Sequence, residues 1–113
     1  MFNFIISFIL ILYANSSFAN LAYITNEKDN TVSVIDIDKK KVVRTVEVGQ
    51  RPRGIIMSKD GKLVLICASD DDRVEVREAK TLKLKYYLPS GPDPELFILS
   101  PDDETLYIAC LLY

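Results

Sequence analysis

The fold is decided by a stretch of 42 residues, Leu21–Lys62, which reads LAYITNEKDNTVSVIDIDKKKVVRTVEVGQRPRGIIMSKDGK. Shifted by 42 positions, the sequence matches itself without a gap, and Leu63–Glu104 shares eleven identical residues with this stretch. Ordinary composition gives roughly two or three identities over such a length. A third copy begins at Thr105 and continues to Tyr113. The chain therefore consists of repeats at 21–62 and 63–104 and the start of another at 105–113.

Each repeat predicts four β-strands separated by polar turns. Leu63–Ala68 is a continuous apolar run, typical of a strand buried on both faces, whereas the next two strands alternate and predict half-buried strands. Burial is expected to fall from the first strand of the unit to the fourth. In the complete unit the strands are predicted at Arg53–Ser58, Leu63–Ala68, Arg73–Arg77 and Leu82–Tyr86. A strand-bearing period near forty residues indicates a β-propeller blade.

The predicted fold class is all-β, a partial β-propeller with about two four-stranded blades of a larger, seven-bladed propeller. The chain begins with the last three strands of one blade, continues through a complete blade over 53–88 and ends with two strands of another. A closed propeller needs about four to eight blades. We therefore expect a fragment of a longer propeller, in which the remaining blades or other copies close the ring. The alternative is a short product that assembles with copies of itself or another chain.

Several motifs resemble the YVTN-type propeller repeat: AYITN at Ala22–Asn26, NTVSVID at Asn30–Asp36 and SKDGK at Ser58–Lys62. The tract Ser90–Glu95, SGPDPE, is similar to the propeller proteins associated with pyrroloquinoline-quinone (PQQ)-dependent catabolism. The resemblance covers residues 21–110. It implies a non-catalytic periplasmic module for binding or scaffolding, accessory to quinoprotein alcohol catabolism, with no cofactor of its own.

Two further relationships stay open, because propellers serve many functions. The haem-bearing propellers of nitrite reductases share the repeat, but an axial ligand such as His would be needed, and the sequence contains no His. A ligand would then lie outside this chain. Surface-layer or adhesion arrays also use the repeat, and a parent with many more copies would favour them.

Residues 1–19 predict a signal peptide, followed by the incomplete propeller over 20–113. Phe4–Tyr13 has the length of a signal-peptide apolar core, and Ser17–Ala19 offers small residues for cleavage between Ala19 and Asn20. An uncleaved anchor is the alternative, but the apolar run ends after about fourteen residues, where a spanning helix needs about twenty. The mature protein is expected to be periplasmic or secreted, without membrane association after cleavage.

The candidate binding residues lie in two equivalent loops that lead into the innermost strands, at the predicted mouth of the central channel. One loop carries Arg51 and Arg53, and the other carries Asp93 and Glu95. This charge inversion suggests contacts with an unknown small molecule or protein partner. The alternative is that Gly and Pro in these loops only set the turn, with positive φ at Gly.

Composition argues against other classes of function. The net charge of −2 gives no basic surface for nucleic acid, and the absence of His excludes a serine or cysteine nucleophile activated by His within this chain. No catalytic, cofactor-binding or metal-binding residue is predicted, and we expect no enzyme.

The acidic run Asp70–Asp72 suggests either a Ca²⁺ loop or, more simply, a solvated turn. Cys67 and Cys110 are predicted to be unbonded and buried, because Cys110 is one residue out of phase with Cys67 in the repeat and should face the other side of its strand.

Overall fold

The computed structural model describes residues 20–111, so the signal peptide predicted for 1–19, including Ala19 of the cleavage site, lies outside the described residues. Nine β-strands and one short 3₁₀ turn, Ser69–Asp71, are present in this range. The strands are β1 (Leu21–Asn26), β2 (Thr31–Asp36), β3 (Lys41–Glu47), β4 (Pro52–Met57), β5 (Leu63–Ala68), β6 (Arg73–Glu78), β7 (Leu84–Pro89), β8 (Pro94–Leu99) and β9 (Leu106–Cys110).

The strands form three antiparallel sheets, which we call blades 1, 2 and 3. Blade 1 has the order β1-β2-β3, blade 2 the order β4-β5-β6-β7, and blade 3 the order β8-β9. Within each blade, consecutive strands are neighbours joined by short polar turns. The all-β, partial-propeller prediction is confirmed, and the described part of the chain contains one complete blade between two incomplete ones.

Blade 2 is packed on both faces. Its face toward blade 1 forms one core of buried residues: Val32, Val34, Val64, Ile66, Ala79 and Leu82. Its face toward blade 3 forms a second core, in which Phe97, Leu99, Leu106 and Ile108 of blade 3 pack on Leu65, Cys67, Val74 and Val76. Alternate residues of a strand point to opposite faces, so the continuous apolar run of β5 supplies both cores. The prediction that Leu63–Ala68 is a strand buried on both faces is confirmed.

The three-dimensional structure repeats with the sequence. A break in register falls between Val34 and Ile35 on β2 and between Val76 and Arg77 on β6, 42 residues later. Such an irregularity bends a strand and increases its twist, as a radial blade requires. Left-handed backbone conformations recur with the same period, at Asn30 and Asp72, Lys40 and Leu82, Arg51 and Asp93, and Gly61 and Asp103.

The fourth strand of the complete unit begins later than predicted. β7 starts at Leu84, and Leu82 instead lies in the turn before it, with a φ of 59°. A left-handed conformation is unfavourable for a bulky side chain. Leu82 is nevertheless fully buried in the core between blades 1 and 2, and burying a leucine contributes about 1.5–3 kcal/mol. The gain from packing therefore outweighs the strain in the turn.

The predicted decline of burial from the first strand to the fourth is wrong. β4 is half-buried, β5 and β6 are the most buried strands, and β7 is largely exposed. β6 was predicted to be half-buried because it alternates Val with charged residues, but Glu75 and Arg77 are also buried. Their charges neutralise each other inside the contact between blades 1 and 2, which alternation of residue types does not reveal.

The outer faces of blades 1 and 3 expose apolar side chains. On blade 3, Leu96, Ile98 and Tyr107 are 65%, 66% and 62% exposed, and on blade 1 Ile24 and Val42 are 46% and 55% exposed. These side chains lie on the faces directed away from blade 2. Between residues 20 and 111 there is no helix with the length and apolar character needed to cross a bilayer.

We predict that removing one methyl group from Ile66 in the core destabilises the protein. Removing one from Ile98, on the exposed face of blade 3, should have little effect. Ile66→Val should lower the free energy of unfolding by about 1 kcal/mol, because Ile66 is fully buried between two blades. Ile98→Val, the matched control, should change it by less than about 0.5 kcal/mol. Urea unfolding followed by circular dichroism measures both, and equal losses would contradict this assignment of core and surface.

Candidate functional site

The structure brings the four candidate residues together in two ion pairs. Arg51 lies just before β4 and Asp93 just before β8, and the guanidinium Nη2 of Arg51 donates to Asp93 Oδ1. Arg53 and Glu95 are the second residues of the same two strands, and Arg53 Nη1 pairs with Glu95 Oε1. The inverted charges of the two loops therefore meet each other across the boundary between blades 2 and 3.

Arg51 is held at three points. Its backbone N–H donates to Asn30 Oδ1 of blade 1 at 2.8 Å, and its Nε lies 3.0 Å from Asp70 Oδ1, close enough for an ion pair but without hydrogen-bond alignment. The hydrogen bond to Asp93 raises the pKa of the guanidinium, and the negative charges of Asp70 and Asp93 add to this against the opposing effect of burial. Arg51 thus connects loops of all three blades, with its backbone N–H bound to blade 1 and its side chain bound to blades 2 and 3.

Asp93 is the buried end of this arrangement, with 8% of its surface exposed. Its backbone N–H donates to Asp72 Oδ1 at 2.9 Å, and its carbonyl accepts a hydrogen bond from Leu111 N–H at 3.0 Å. The left-handed conformation in these loops falls on Arg51 and Asp93. The positive φ that the alternative interpretation gave to Gly is therefore wrong for both loops.

Gly54 has a different role, because a Cβ atom at this position would lie 2.7 Å from the backbone oxygen of Glu95. The absence of a side chain allows β4 and β8, the first strands of blades 2 and 3, to approach each other closely. This approach places Arg53 and Glu95 within reach of one another.

Arg53 lies at the wall of a cavity of about 380 Å³ at the inner ends of the blades. It is flanked by two carboxylates, since its Nε lies 3.3 Å from Glu27 Oε1 and its Nη1 pairs with Glu95. The hydroxyl of Thr25 donates to the carbonyl of Arg53 at 2.9 Å and fixes the backbone. The lining residues are Thr25, Glu27, Pro52, Arg53, Gly54, Glu95 and Leu96. One cation faces two anions here, so the cavity wall carries a net negative charge.

The acidic run Asp70–Asp72 is a connector and not a freely solvated turn. Asp70 pairs with Arg51, Asp71 Oδ2 accepts a hydrogen bond from Gln50 N–H at 2.9 Å, and Asp72 Oδ1 accepts from Asp93 N–H. Each carboxylate thereby holds one of the two loops that precede β4 and β8. Over residues 20–111 no group of three or more His, Cys, Asp or Glu side chains is arranged to hold a metal ion.

A second charged pair, Glu75 and Arg77, was not predicted from the sequence and lies on the face of β6 toward blade 1. Arg77 Nε and Nη2 each donate to the Glu75 carboxylate at 3.2 Å, and Arg77 Nη1 donates to the carbonyl of Leu82 at 2.8 Å. Glu75 Oε1 also accepts from Gly49 N–H at 2.8 Å. The pair ties β6 to the turn before β7 and to the loop leaving blade 1. The equivalent residues in blade 1 are Ser33 and Ile35, so comparison of the repeats could not predict it.

The two cysteines are unbonded and Cys67 is buried, as predicted, but Cys110 is less buried than predicted. Cys67 is fully buried, whereas Cys110 is only half-buried. They lie on opposite faces of their respective strands, and since the strands belong to adjacent blades, both side chains point toward the contact between blades 2 and 3. The pKa of the Cys67 thiol is raised to about 12, mainly by burial and further by the nearby Cys110, against a smaller opposing effect of the Gly54 backbone.

Comparison with known families gives one match, to the cytochrome D1 heme domain, over residues 9–95. No curated protein sequence matches the chain.

Comparison with solved structures gives propeller-like neighbours. Hydrazine synthase from Kuenenia stuttgartiensis has a TM-score of 0.75 at 27% identity, over 80% of this chain and 26% of that one. A functionally unknown protein from Desulfotomaculum acetoxidans has a TM-score of 0.68 at 21% identity, over 80% and 31%. The dihydro-heme d1 dehydrogenase NirN has a TM-score of 0.70 at 21% identity, over 83% and 20%. The chain thus spans between a fifth and a third of these proteins.

We predict that the Arg53–Glu95 pair contributes to stability through its charges. Arg53→Glu should lower the free energy of unfolding by roughly 1 kcal/mol, because it places a third carboxylate beside Glu27 and Glu95. Adding Glu95→Arg should restore most of this loss. The exposed Glu47→Arg serves as a control for a simple change of net charge. Urea unfolding of the original chain, of Arg53→Glu, of Glu95→Arg and of the double variant measures the coupling. Additive effects of the two single substitutions would show that the pair does not contribute to stability.

We predict that Cys67 is almost inert toward alkylation in the folded protein. At pH 8 a thiol with a pKa of about 12 has about a thousandfold less thiolate than one with a pKa near 9. Burial raises this pKa because the folded protein favours the neutral thiol. The stabilisation that follows from this preference is fully present below pH 9, and it is lost as the pH rises toward 12. Iodoacetamide labelling of the Cys110→Ser variant, followed by mass spectrometry, should be negligible without urea and complete in urea. Fast labelling of the folded chain would contradict the burial of Cys67.

Proposed function

The chain belongs to the cytochrome D1 heme domain family, and we propose from this that it contributes blades to a larger haem-associated β-propeller as a non-catalytic binding and scaffolding module. The observation that carries the proposal is the pairing of loops at the inner ends of the blades. Arg51 and Arg53 pair with Asp93 and Glu95, so the charges of these loops hold neighbouring blades in position. This arrangement suits a rigid wall around a central site.

The sizes of the similar structures support a role as part of a larger protein. The region similar to this chain is 26% of the hydrazine synthase chain, which is an enzyme by its name. The exposed apolar faces of blades 1 and 3 support the same conclusion, because repeat units need neighbours to bury such faces. We propose that further blades, on the same polypeptide or on other copies, cover them.

The residues of this chain do not fit a haem group. Haem iron in proteins is held by His, Cys, Met or Tyr side chains. The inner cavity is lined by none of these, and its basic side chain, Arg53, is already paired with Glu27 and Glu95. A wall with net negative charge is also unfavourable for the propionates of haem. We therefore assign no haem ligand to the described residues and propose that any haem contact comes from other blades.

The mouth of the channel is the proposed contact surface for a small molecule or protein partner. Arg51 and Asp93 are occupied with each other and with Asp70 and Asp72, so they act as positioning residues. Arg53 and Glu95 are also paired with each other, but they line the open cavity, so this pair is the part of the channel mouth that a ligand would contact. The partner itself is unknown.

The narrower relationship to the propellers associated with PQQ-dependent catabolism is the second candidate. The tract Ser90–Glu95 favours it, since this tract forms the loop into β8 and contains both Asp93 and Glu95. In either case we propose that the mature protein is periplasmic or secreted and begins at Asn20.

We predict that the chain itself has no specific haem site. Titration of the full chain with hemin should give no saturable 1:1 shift of the Soret band, because the inner cavity lacks an iron ligand. Arg53→Ala removes the cation that could attract propionates and should leave the titration unchanged. A stoichiometric Soret shift that Arg53→Ala abolishes would instead make this chain a haem-binding module.

We predict that the exported chain is cleaved after Ala19. When the full chain is expressed in a bacterium with a periplasm, intact-mass spectrometry of the periplasmic fraction should show Asn20 as the first residue. Ala19→Arg should block cleavage, while Asn20→Ser, the matched neighbour, should not. An uncleaved chain retained in the membrane fraction would contradict the proposed localisation without affecting the assignment to the family.

A further inference from the structure

Lysine side chains are concentrated at one end of the blades. β4 runs from the channel mouth to the turn at 58–62, so this turn marks the opposite end, which we call the far end. The far end is formed by the turns at 37–40, 58–62, 79–83 and 100–105. Every lysine except Lys28 lies in or directly beside these turns. Two of the turns are joined by a hydrogen bond of 2.9 Å from Ala79 N–H to the carbonyl of Lys62. The fold thus brings the lysines to one surface.

Arginine and lysine have different roles in this structure. Each arginine is bound to another part of the protein, through ion pairs of Arg51, Arg53, Arg73 and Arg77 and a hydrogen bond of Arg44. Between residues 20 and 111, no lysine lies within ion-pair distance of a carboxylate. The far-end lysines are also exposed. Their charges therefore hold no blade in position and are available to an anionic partner.

Three of these lysines surround a cavity of about 360 Å³ at the far end of blade 2. The lining residues all belong to the complete blade and are Gly61, Lys62, Leu63, Glu78, Lys80 and Lys85. Glu78 is the one acidic residue of this lining, and its Oε2 accepts a hydrogen bond from the Thr81 hydroxyl at 3.1 Å. Three ammonium groups against one carboxylate give the cavity a net positive charge.

The three lysines of the cavity are not a feature of the repeat. Residues that every blade needs in order to fold are expected to recur with the period of the repeat. At the positions equivalent to Lys62, Lys80 and Lys85, the preceding copy instead carries two uncharged residues and one acidic residue: Asn20, Asp38 and Val43. The positive cavity is therefore specific to blade 2 and is not a requirement of the fold, which indicates a role in binding.

We propose that this cavity and the lysines around it bind an acidic segment of a partner protein, one that presents several carboxylates in succession. Lysine ammonium groups are flexible point charges without the fixed fork of arginine, and they suit a row of carboxylates better than the shaped recognition of a single anion. The surface continues onto blade 1, because Arg44 of β3 donates to the carbonyl of Lys80 and β3 begins at Lys41. The lysines at 39–41 would thus extend the contact beyond the cavity.

The other charges of the far end favour a protein over an anionic bilayer as the partner. Beside the lysines, this end carries Asp60 and three acidic residues of blade 3 at 102–104. Hydrogen bonds from the hydroxyls of Ser58 and Ser100 lower the pKa of Asp60 and of Asp102, respectively, so both carboxylates are ionised at neutral pH. A flat anionic surface would meet these carboxylates together with the lysines, whereas a protein segment can contact the lysines alone.

The test uses the full chain and a fluorescently labelled oligoglutamate peptide as the probe. Fluorescence anisotropy should show saturable binding that weakens with added salt, because salt screens charges at an exposed surface. Lys62→Glu should weaken binding by about fivefold or more, because it reverses one charge of the cavity. The following copy of the repeat carries Glu104 at this position, so the fold accepts the substitution. Lys80→Asp, which copies Asp38 of the preceding repeat, should cause a similar loss.

Lys28→Glu is the matched control, because it changes the net charge equally but lies at the end of the channel mouth. It should leave peptide binding within about twofold of the original chain, since charges more than a Debye length apart are largely screened. Equal losses for Lys28→Glu and Lys62→Glu would show an effect of net charge alone and would overturn the proposal, as would the absence of saturable binding.

Two further measurements separate the acidic segment from other anions. Displacement of the peptide by inorganic phosphate, beyond that caused by sodium chloride of equal ionic strength, would assign the cavity to a small anion. Binding to phosphatidylglycerol vesicles without binding to the peptide would assign the lysines to a bilayer. Either result would overturn the proposal. The proposed function rests on the opposite end of the blades, so it would stand in both cases.

Discussion

The structure depends on one constraint, the burial of both faces of each β-sheet. Blade 2 satisfies it because blade 1 covers one face and blade 3 covers the other, and β5 contributes Val64 and Ile66 to one core and Leu65 and Cys67 to the other. Blades 1 and 3 have a neighbour on one side only, and their outer faces remain apolar and exposed. Repeat proteins derive stability from such contacts between neighbours, since an isolated unit cannot bury its own faces.

Polar contacts at the inner ends of the blades set how the sheets are positioned relative to each other. Hydrophobic packing is not directional, whereas an ion pair between fixed loops selects one arrangement. Arg51 and Asp93 occupy equivalent positions in successive repeats and carry opposite charges, so the two repeats are joined by this pair. Buried on β6, Glu75 and Arg77 add a second connection, between blades 1 and 2. These connections hold the blades, and with them the wall of the inner cavity, in one arrangement.

Much of the fold could be predicted from the sequence because it is repeated. The period of 42 residues and the apolar run Leu63–Ala68 predicted the blade and its most buried strand. The four candidate site residues were found as inverted charges at equivalent positions, but the sequence could not show that they pair with each other. Glu75 and Arg77 escaped prediction because charged residues that alternate with valine usually face water.

The sequence by itself determined the repeat, the strands and the positions of the turns, because these depend on the local alternation of apolar and polar residues and on turn-forming residues. Only the tertiary structure decided which faces meet. Cys67 and Cys110 lie out of phase in the repeat, yet both point toward one contact, because opposite faces of adjacent blades face each other. Leu82 likewise adopts an unfavourable turn conformation because a groove on the neighbouring blade receives it. Such outcomes depend on the packing of separate repeats, which no local pattern encodes.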